Sequence, residues 1–408
     1  MTDTALERAI EPVGRDEFFA RYWECEPLVV ERGEAVRFAD LLAPADVERA
    51  ISETAIRAPA FRLVKAGARL DQRDYTAKLS WKPAPFSGTV DVDRVLEEWR
   101  NGATIVLQAL HINWPPLARY CRLLESEFGH PVQANAYYTP RSAQGFPVHH
   151  DTHDVFVLQV AGEKRWLLYE PVWELPLRGQ PYSEETHGPP GEPEELVLRA
   201  GDTLYLPRGW LHEAATSEAD SLHLTIGVNV YTWFDAVRAA LDDCRDDVEF
   251  RRGVPVDGGM RADLGERLRR RLEAHEVAAR MRERFIRRRR PIRDGAFDDL
   301  RALERLDGET PVERRDTAIA DVVERGGSVA IVFEGKEVSF PARVREAVGF
   351  VASGPAAFRP VDVPGLDEEG QLVLVRRLVR EGLLRVSGAA EETLRESAVA
   401  ARAPVSRR

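Results

Sequence analysis

Histidine and aspartate are crowded into one short stretch of the chain, residues 145–159, which reads GFPVHHDTHDVFVLQ. His149 and Asp151 are two positions apart, and side chains at i and i+2 of an extended strand point to the same face. One imidazole nitrogen and one carboxylate oxygen can therefore reach the same cation, whereas His150 is predicted to point the other way. An H-x-D pair alone is weak evidence for a metal site and needs a third ligand from elsewhere.

The third ligand is predicted to be His212, in the stretch GDTLYLPRGWLHEA. A β run ends there at residues 207–209, and the histidine follows among apolar neighbours, so a packed core histidine is the alternative interpretation. Two histidines and one carboxylate on a β scaffold form the facial triad of non-haem Fe(II) oxygenases, which leaves coordination positions open for a bidentate cosubstrate and O₂. A structural zinc site would instead be closed by a fourth protein ligand.

A cosubstrate such as 2-oxoglutarate carries a second carboxylate and needs a cation, for which the candidate is Lys164 in AGEKRW. An exposed hairpin lysine is the alternative. Hydroxyl and amide donors would complete the pocket, and two further β runs, NAYYTP and SLHLTIGV, carry polar residues on alternate positions. Such a polar face usually meets water, and it would face inward only if the interior held a polar ligand. The polar positions are Asn135, Tyr137 and Thr139 in the first run and His223 and Thr225 in the second.

The elements that must position these residues are short β runs from about residue 130 onward, separated by Gly, Pro and Asp turns. This pattern is typical of a β-sandwich or barrel. Helical spacing precedes it, as in residues 115–129, and returns over residues 234–306, where Leu264, Leu268 and Leu272 form one apolar stripe. Residues 311–390 mix helix and strand in the order expected of a small winged-helix-like domain. Residues 391–408 are predicted to be disordered.

Composition limits the classes of function. A chain of 408 residues, 44% of them hydrophobic, predicts two or three domains. The formal net charge of -11 argues against a general nucleic-acid or membrane-surface binder. Three widely spaced cysteines give neither a disulfide framework nor a Cys zinc site, which suggests a reducing compartment. Neither a signal peptide nor a membrane-spanning stretch is predicted, so a cytoplasmic location is expected.

The motifs together resemble a known family. NAYYTP, QGFPVHHDTHDVFVLQVAGEKRWLLYEP, GDTLYLPRGWLHEA and SLHLTIG follow one another as in the JmjC oxygenases, specifically the ribosomal oxygenases, which hydroxylate ribosomal proteins. The match is strongest over about residues 130–230. The resemblance implies a double-stranded β-helix, or cupin-like jelly roll, in an α+β chain. It also implies three parts, namely an oxygenase domain over residues 1–233, a helical dimerisation domain over 234–306 and a winged-helix-like domain over 311–390.

The resemblance implies roles for individual residues. Fe(II) would be held by His149, Asp151 and His212, and O₂ and 2-oxoglutarate would be cosubstrates. Neither His150 nor His153 is expected to be a ligand, and no protein general base is assigned. The 2-oxoglutarate contacts would be Lys164, on the distal carboxylate, with Tyr137, Asn135 and Thr225.

The substrate follows from the same resemblance, and the expected reaction is hydroxylation of a His or Arg side chain on a basic ribosomal protein. The stripe of Leu264, Leu268 and Leu272 predicts a homodimer, because pairing with its copy would cover this apolar surface. Interleaved charges of both signs in residues 311–390 argue against direct DNA binding, and no membrane binding is expected. A small-molecule hydroxylase on the same fold, an N-methyl-lysine demethylase and a non-catalytic cupin-like binding module are the alternatives. Iron-dependent turnover of 2-oxoglutarate would distinguish the enzymes from the non-catalytic binding module.

Overall fold

The computed structural model describes residues 4–54, 56–80, 86–141, 143, 146–215, 218–256 and 262–388. The chain divides into two compact units, Met1–Val230 and Tyr231–Arg408. The predicted tail, residues 391–408, lies outside the described residues. Within the described ranges, no helix is both long and apolar enough to cross a lipid bilayer.

The helices of the N-terminal unit are mostly short. The longest begins with Pro115 at its first position, where a missing N–H costs no hydrogen bond, and ends where Gly129 adopts a left-handed conformation. The helices are α1 (Ala5–Ile10), α2 (Arg15–Glu17, continued by a π-helical turn at Phe18–Tyr22), α3 (Pro44–Ser52), α4 (Val92–Arg100), α5 (Leu110–Asn113), α6 (Pro115–Phe128) and α7 (Glu184–His187).

The strands of the same unit form two sheets and a separate hairpin. They are β1 (Leu28–Val30), β2 (Phe61–Lys65), β3 (Ala68–Arg69), β4 (Thr76–Leu79), β5 (Phe86–Val90), β6 (Thr104–Leu107), β7 (Val132–Thr139), β8 (Asp154–Ala161), β9 (Glu163–Tyr169), β10 (Glu194–Arg199), β11 (Thr203–Leu206), β12 (Leu211–Ala215) and β13 (Ser221–Val228). Among the described residues, the large sheet has the order β1-β11-β8-β13-β7-β6-β2-β3, the small sheet has the order β10-β9-β12, and β4 pairs with β5.

The two sheets pack face to face. Val155 and Val157 of β8 share an apolar cluster with Trp166 and Leu168 of β9, so side chains of the large and small sheets meet directly. The large sheet is buried on its other face as well, because the helices α1, α3 and α6 pack against it. Burial on both faces explains why β8 is almost continuously apolar.

The turn between β8 and β9 requires glycine. Gly162 has φ +64°, and a Cβ built on it would lie 1.8 Å from the carbonyl oxygen of Asp220. The chain therefore reverses tightly here, and β9 leaves the large sheet to form the centre of the small one. This reversal places Lys164, two residues after the turn, on the same strand face as Trp166.

The C-terminal unit combines helices with two three-stranded sheets. Its helices are α8 (Trp233–Asp243), α9 (Val248–Arg251), α10 (Ala262–Arg271), α11 (Ala274–Arg288), α12 (Ala296–Ala302), α13 (Arg345–Ser353) and α14 (Glu368–Glu381). Its strands are β14 (Val312–Arg314), β15 (Ala320–Arg325), β16 (Ser328–Phe333), β17 (Lys336–Pro341), β18 (Ala357–Phe358) and β19 (Leu384–Val386). The described residues give the sheet orders β18-β14-β19 and β15-β16-β17.

One core holds most of this unit together. Ile331 of β16, Val348 of α13 and Val375 of α14 are buried in a common cluster. The meander β15-β16-β17 is an addition to the helix–turn–helix–strand order expected from the sequence. Its turns fall at Gly326–Gly327 and at Glu334–Gly335, where all four residues have positive φ.

Candidate metal centre and cosubstrate cavity

His149 and His212 are brought together by backbone pairing. His149 N–H donates to His212 O at 3.1 Å, and His212 N–H donates to His149 O at 2.8 Å, which forms an isolated antiparallel bridge. Their imidazole centroids lie 4.4 Å apart. His212 opens the inward face of β12, while His149 lies in the segment before β8. The third ligand predicted from sequence thus stands beside the first.

Asp151 completes the cluster, although the chain around it is not the regular strand assumed in the sequence argument. His149 forms a bridge and residues 150–153 form a loop, whose backbone is fixed because Gly209 N–H donates to Asp151 O at 3.1 Å. One ligand atom from each of His149, Asp151 and His212 lies within 4.8 Å of the others. Asp151 Oδ2 is 3.9 Å from His212 Nε2.

The two imidazoles are oriented by main-chain carbonyl groups. Nδ1 of His149 is 2.8 Å from Pro147 O, and Nδ1 of His212 is 3.0 Å from Trp210 O. Each Nδ1 therefore donates its proton to a carbonyl, and Nε2 carries the free lone pair. Hydrogen bonding of the second ring nitrogen is the usual way in which a protein fixes the tautomer and direction of a metal-binding histidine.

Protonation states in this cluster suit a metal ion. Burial, reinforced by the neighbouring His149, lowers the pKa of His212 to about 4, so the imidazole is neutral at pH 7. Burial opposes ionisation of Asp151, but the surrounding histidines, His153 foremost, outweigh it and lower the pKa of this carboxyl group. Neutral imidazole and ionised carboxylate are the forms that coordinate a divalent metal, so these donors fit Fe(II) in a two-histidine, one-carboxylate arrangement.

A buried ion pair holds the turn that precedes His212. Arg208 Nη1 lies 2.9 Å from Asp154 Oδ2, and Arg208 N–H and the Tyr205 hydroxyl both donate to Asp154 Oδ1. Asp154 is completely buried. Asp154 begins β8 and Arg208 follows β11, so this pair ties the metal-binding loop to the turn at Gly209.

The two other histidines of the opening stretch face elsewhere. His150 is buried and its Nε2 is 2.9 Å from Gln180 O, so this nitrogen meets a main-chain carbonyl and not the cluster. His153 packs against the backbone of Gly227, where a Cβ would be 2.8 Å from the imidazole. Its Nδ1 lies 3.9 Å from Asp151 Oδ1, beyond hydrogen-bonding distance.

The metal-binding cluster opens into a cavity of about 260 Å³ between the two sheets. This volume suits a small organic acid better than a drug-sized ligand. The small sheet contributes His212, Trp166 and Lys164 to the wall. The large sheet contributes side chains that include Thr104, Tyr137, His223 and Thr225, and the segment before β8 contributes the rest of the cluster, His149 and Asp151.

Lys164 is a buried cation in this cavity. Its side chain is 3% exposed, which excludes the exposed hairpin lysine considered from the sequence. Nζ donates to Thr139 Oγ1 at 3.1 Å, and Thr104 Oγ1 donates to the same hydroxyl oxygen at 3.2 Å. Burial lowers the pKa of Lys164 to about 7. An ammonium group so placed, with no carboxylate paired to it in the described part of the chain, is a site for an anionic ligand.

Tyr137 and Thr225 share the cavity with the metal-binding cluster and Lys164. Tyr137 stacks on His223 with ring centroids 5.0 Å apart, and burial raises the pKa of its hydroxyl group. Both Tyr137 and Thr225 line the cavity. Asn135 pairs with Thr225 in the register of β7 and β13, but it is not among the lining residues, and its side-chain oxygen accepts a hydrogen bond from Ala109 N–H at 3.1 Å.

Several buried polar atoms of the lining have no hydrogen-bond partner among the described residues. They are Arg62 Nε, Trp166 Nε1 and His223 Nδ1. Unsatisfied buried donors are costly, so a cavity that collects them is suited to a polar ligand. Trp166 could have been found from its i+2 spacing to Lys164. Arg62 and Thr104 come from β2 and β6, whose positions beside β7 depend on long-range pairing.

Comparison with known proteins agrees with this fold. The family model of the JmjC domain matches residues 108–235. The chain is 31% identical over 260 residues to ribosomal oxygenase 1 of Gallus gallus, a match that covers 61% of this chain and 41% of the relative. The chain therefore spans about two fifths of the length of that relative.

Two solved structures of the Escherichia coli ribosomal oxygenase YcfD resemble this chain. Each match covers 92% of this chain and 99% of the YcfD chain. The complex with cobalt and succinic acid gives a TM-score of 0.52 at 17% identity. The complex with cobalt and 2-oxoglutarate gives 0.50 at 18% identity. These matches confirm the predicted cupin-like fold with mixed helices and sheets. Over residues 108–235 the chain is similar to the JmjC domain, and over a longer stretch its sequence is similar to the ribosomal oxygenases.

Proposed function

We propose that this protein is a 2-oxoglutarate- and Fe(II)-dependent dioxygenase that hydroxylates a protein side chain. One observation carries the proposal, namely that the cluster of His149, Asp151 and His212 opens into the same cavity as the buried cation of Lys164. A metal cluster alone would fit many functions. A metal cluster and an uncompensated cation in one small cavity fit a cosubstrate that has one metal-binding end and one free carboxylate.

We assign roles accordingly. His149, Asp151 and His212 would hold the iron, and Lys164 would take the distal carboxylate of 2-oxoglutarate. Tyr137 and Thr225 would flank the cosubstrate, and Asn135 would contribute through its amide nitrogen, since its oxygen is engaged by Ala109. When bound, the iron supplies the oxidative chemistry, in which 2-oxoglutarate and O₂ yield succinate and CO₂ and one oxygen atom enters the substrate.

Residues of the chain itself orient the proposed metal ligands and shield the cavity. The carbonyls of Pro147 and Trp210 aim both imidazoles at the cavity, and the pair Asp154–Arg208 fixes the loops that carry the ligands. Trp166 forms part of the cavity wall and keeps bulk water from it. Thr139 holds Lys164 in place before the anion binds. Because these groups are already in place, the site does not have to reorganise when the cosubstrate enters.

The substrate is proposed to be a His or Arg side chain of a basic ribosomal protein. Support comes from the names of the relatives, which are ribosomal oxygenases, and from the net charge of -11, which attracts basic proteins over long distances. The test is to incubate ribosomes with the enzyme, Fe(II) and 2-oxoglutarate and to search the proteins by mass spectrometry for an added oxygen atom, with the Asp151→Ala variant as the control.

Succinate formation in the same reactions separates the alternatives. Iron-dependent succinate formation with an oxidised ribosomal side chain supports the proposal. Succinate formation without any oxidised protein would favour a small-molecule hydroxylase, and loss of methyl groups from lysine would favour a demethylase. No succinate under any of these conditions would contradict enzymatic activity and favour a binding module.

We also propose that the chain is a homodimer held by the helical segment 234–306. The sequence argument relied on Leu264, Leu268 and Leu272, and these side chains are partly buried. A larger unpartnered surface lies on α8, where Trp233 is 78% and Phe234 57% exposed, with Val237 and Leu241 on the following turns. An apolar surface of this kind on a helix is suited to a twofold, self-complementary contact.

Light scattering on three forms of the full chain tests the dimer. Phe234→Asp is expected to give monomers because it places a charge in the proposed interface, whereas wild type is expected to be dimeric. Leu268→Asp distinguishes α8 from the predicted α10 stripe. A monomeric wild type, or two charged variants that both remain dimeric, would remove the segment from any dimer interface.

We further infer the division into an oxygenase part over residues 1–233, the dimerisation segment and a winged-helix-like part over 311–390. The order α13, α14, β19, with β19 paired to β14, supports the last assignment. We propose that this part does not bind DNA directly. A cytoplasmic location is supported by the free thiols of Cys25, Cys121 and Cys244.

A further inference from the structure

A deep groove lies in the C-terminal unit between the strand β17 and the helix α14. Its volume is about 930 Å³, and it is lined on one side by the consecutive residues Val338–Pro341 and on the other by α14. Lys336 Nζ donates to the main-chain and side-chain oxygens of Glu381, which joins the start of β17 to the end of α14.

The strand side of the groove is a sheet edge. Among the described residues, β17 pairs with β16 and with no other strand. An edge strand presents a row of unpaired N–H and C=O groups, which can pair with an added strand. Because four consecutive residues of β17 line the groove, this row of backbone groups is accessible from it. A groove between a sheet edge and a helix has the geometry used by domains that bind an extended peptide as an extra strand.

The groove is also strongly positive. Four arginines line it, together with a single carboxylate, that of Asp367, which caps α14 by accepting from Gly370 N–H at 3.0 Å. Arg377 is paired with Glu381 at 2.9 Å. Arg343 and Arg380 are exposed and have no carboxylate partner in the described part of the chain. In a protein of net charge -11, this concentration of free positive charge is local.

Apolar side chains lie between the arginines. Val373 on α14 is 63% exposed, and Phe340 on β17 is partly buried opposite it. Successive side chains of an added strand would point alternately into the groove and away from it. Apolar residues of such a strand would therefore meet Val373 and Phe340, while acidic residues at its ends and rim would meet Arg343 and Arg380.

We propose that this β17–α14 groove binds an extended segment of a partner protein, with alternating apolar and acidic residues, as an additional strand on β17. A peptide fits better than a nucleic acid because the strand edge offers backbone hydrogen bonds and the floor is apolar. Among the described residues, the only aromatic ring that lines the groove is that of Phe340, which is partly buried, whereas single-stranded nucleic acids stack successive bases on several exposed rings. The groove lies in the C-terminal unit, and the proposal does not depend on the oxygenase activity of the N-terminal one.

The experiment is selection of a random-peptide phage library on the full-length protein, followed by fluorescence anisotropy with the selected peptide. Acidic peptides with alternating apolar residues are expected to be enriched. The double variant Arg343→Glu, Arg380→Glu is expected to weaken binding about tenfold or more, and the uncharged substitution Val373→Asn to weaken it severalfold through loss of the apolar contact. Arg345→Glu is the matched control, because Arg345 is exposed, pairs with Glu324 and does not line the groove.

Hydrogen exchange followed by mass spectrometry tests the mode of binding. The bound peptide is expected to slow amide exchange over residues 336–341, since new backbone hydrogen bonds form there. Enrichment of neutral or basic peptides, or no enrichment, would overturn the proposal. Binding that survives the double charge reversal would also overturn it. Tighter binding of a single-stranded RNA probe than of any peptide, lost in the double variant, would reassign the groove to nucleic acid.

Discussion

His149 and His212 donate main-chain hydrogen bonds to each other, at 3.1 and 2.8 Å, so the pairing that joins the segment before β8 to β12 also sets the distance between two proposed metal ligands. The ligands lie far apart in sequence, yet their backbones are fixed to one another as in a sheet. Side-chain substitutions at these positions should therefore remove metal binding without removing the bridge that supports the fold.

The first prediction follows from that bridge. His212→Ala is expected to weaken Co(II) binding by more than the roughly 10–100-fold loss typical of substitutions outside the ligand set. His150→Ala should bind Co(II) with near wild-type affinity, since its Nε2 faces Gln180 O. Calorimetric titration of the metal-free variants with Co(II) measures both affinities. Equal losses in the two variants would mean that strand parity misidentifies the ligand.

The second prediction concerns the affinity for the cosubstrate. A charge-assisted hydrogen bond contributes about 1.5–3 kcal/mol, so Lys164→Ala should raise the Michaelis constant for 2-oxoglutarate roughly tenfold to a hundredfold. Arg165→Ala is the control, because Arg165 is half exposed on the opposite face of β9. The steady-state rate of succinate formation at varied 2-oxoglutarate concentrations gives the Michaelis constant of each variant. An unchanged constant in Lys164→Ala would place the distal carboxylate elsewhere.

The third prediction is a pH dependence. In the ligand-free cavity, burial lowers the pKa of Lys164 to about 7, so the amine is protonated below that pH and neutral above it. A dicarboxylate needs the charged form, and binding above pH 7 must therefore take up a proton. The dissociation constant of 2-oxoglutarate, measured with Co(II) present, should rise as pH increases above 7, by up to about tenfold per unit. Lys164→Met should lose this dependence, and a persistent slope would assign it to another group.

The fourth prediction concerns the buried pair behind the metal-binding loop. Removing one partner of a buried ion pair leaves the other charge uncompensated and costs about 3–5 kcal/mol. Asp154→Ala is expected at the lower end of that range, because Arg208 also pairs with Glu24. Glu24→Gln should cost less than about 1 kcal/mol, since Glu24 is partly exposed. Urea unfolding measures the free energy of unfolding of both variants. Equal losses would show that Asp154 and Glu24 contribute equally to compensating the charge of Arg208.

The sequence by itself predicted the chemistry of the site. The H-x-D spacing, the isolated His212 and the nearness of Lys164 to the metal-binding stretch are local features, and residue type and period-two alternation are enough to interpret them. The same alternation predicted that His150 points away from the metal, which its contact with Gln180 O agrees with. The alternation of turns and β runs over residues 130–230 predicted a β-sandwich or barrel, and the resemblance to the JmjC oxygenases implied that it is a cupin-like jelly roll.

Only the tertiary structure decided which other side chains enter the cavity. Arg62 and Thr104 reach it because β2 and β6 extend the large sheet beside β7, and such pairing depends on packing between distant segments. Asn135 lies on the polar face expected of it, yet the approach of Ala109 engages its oxygen. The exposed apolar surface falls chiefly on α8, because the leucines of α10 are partly covered. A periodic pattern describes one helix or strand at a time, whereas the burial of a side chain depends on the other helices and strands that its own element contacts.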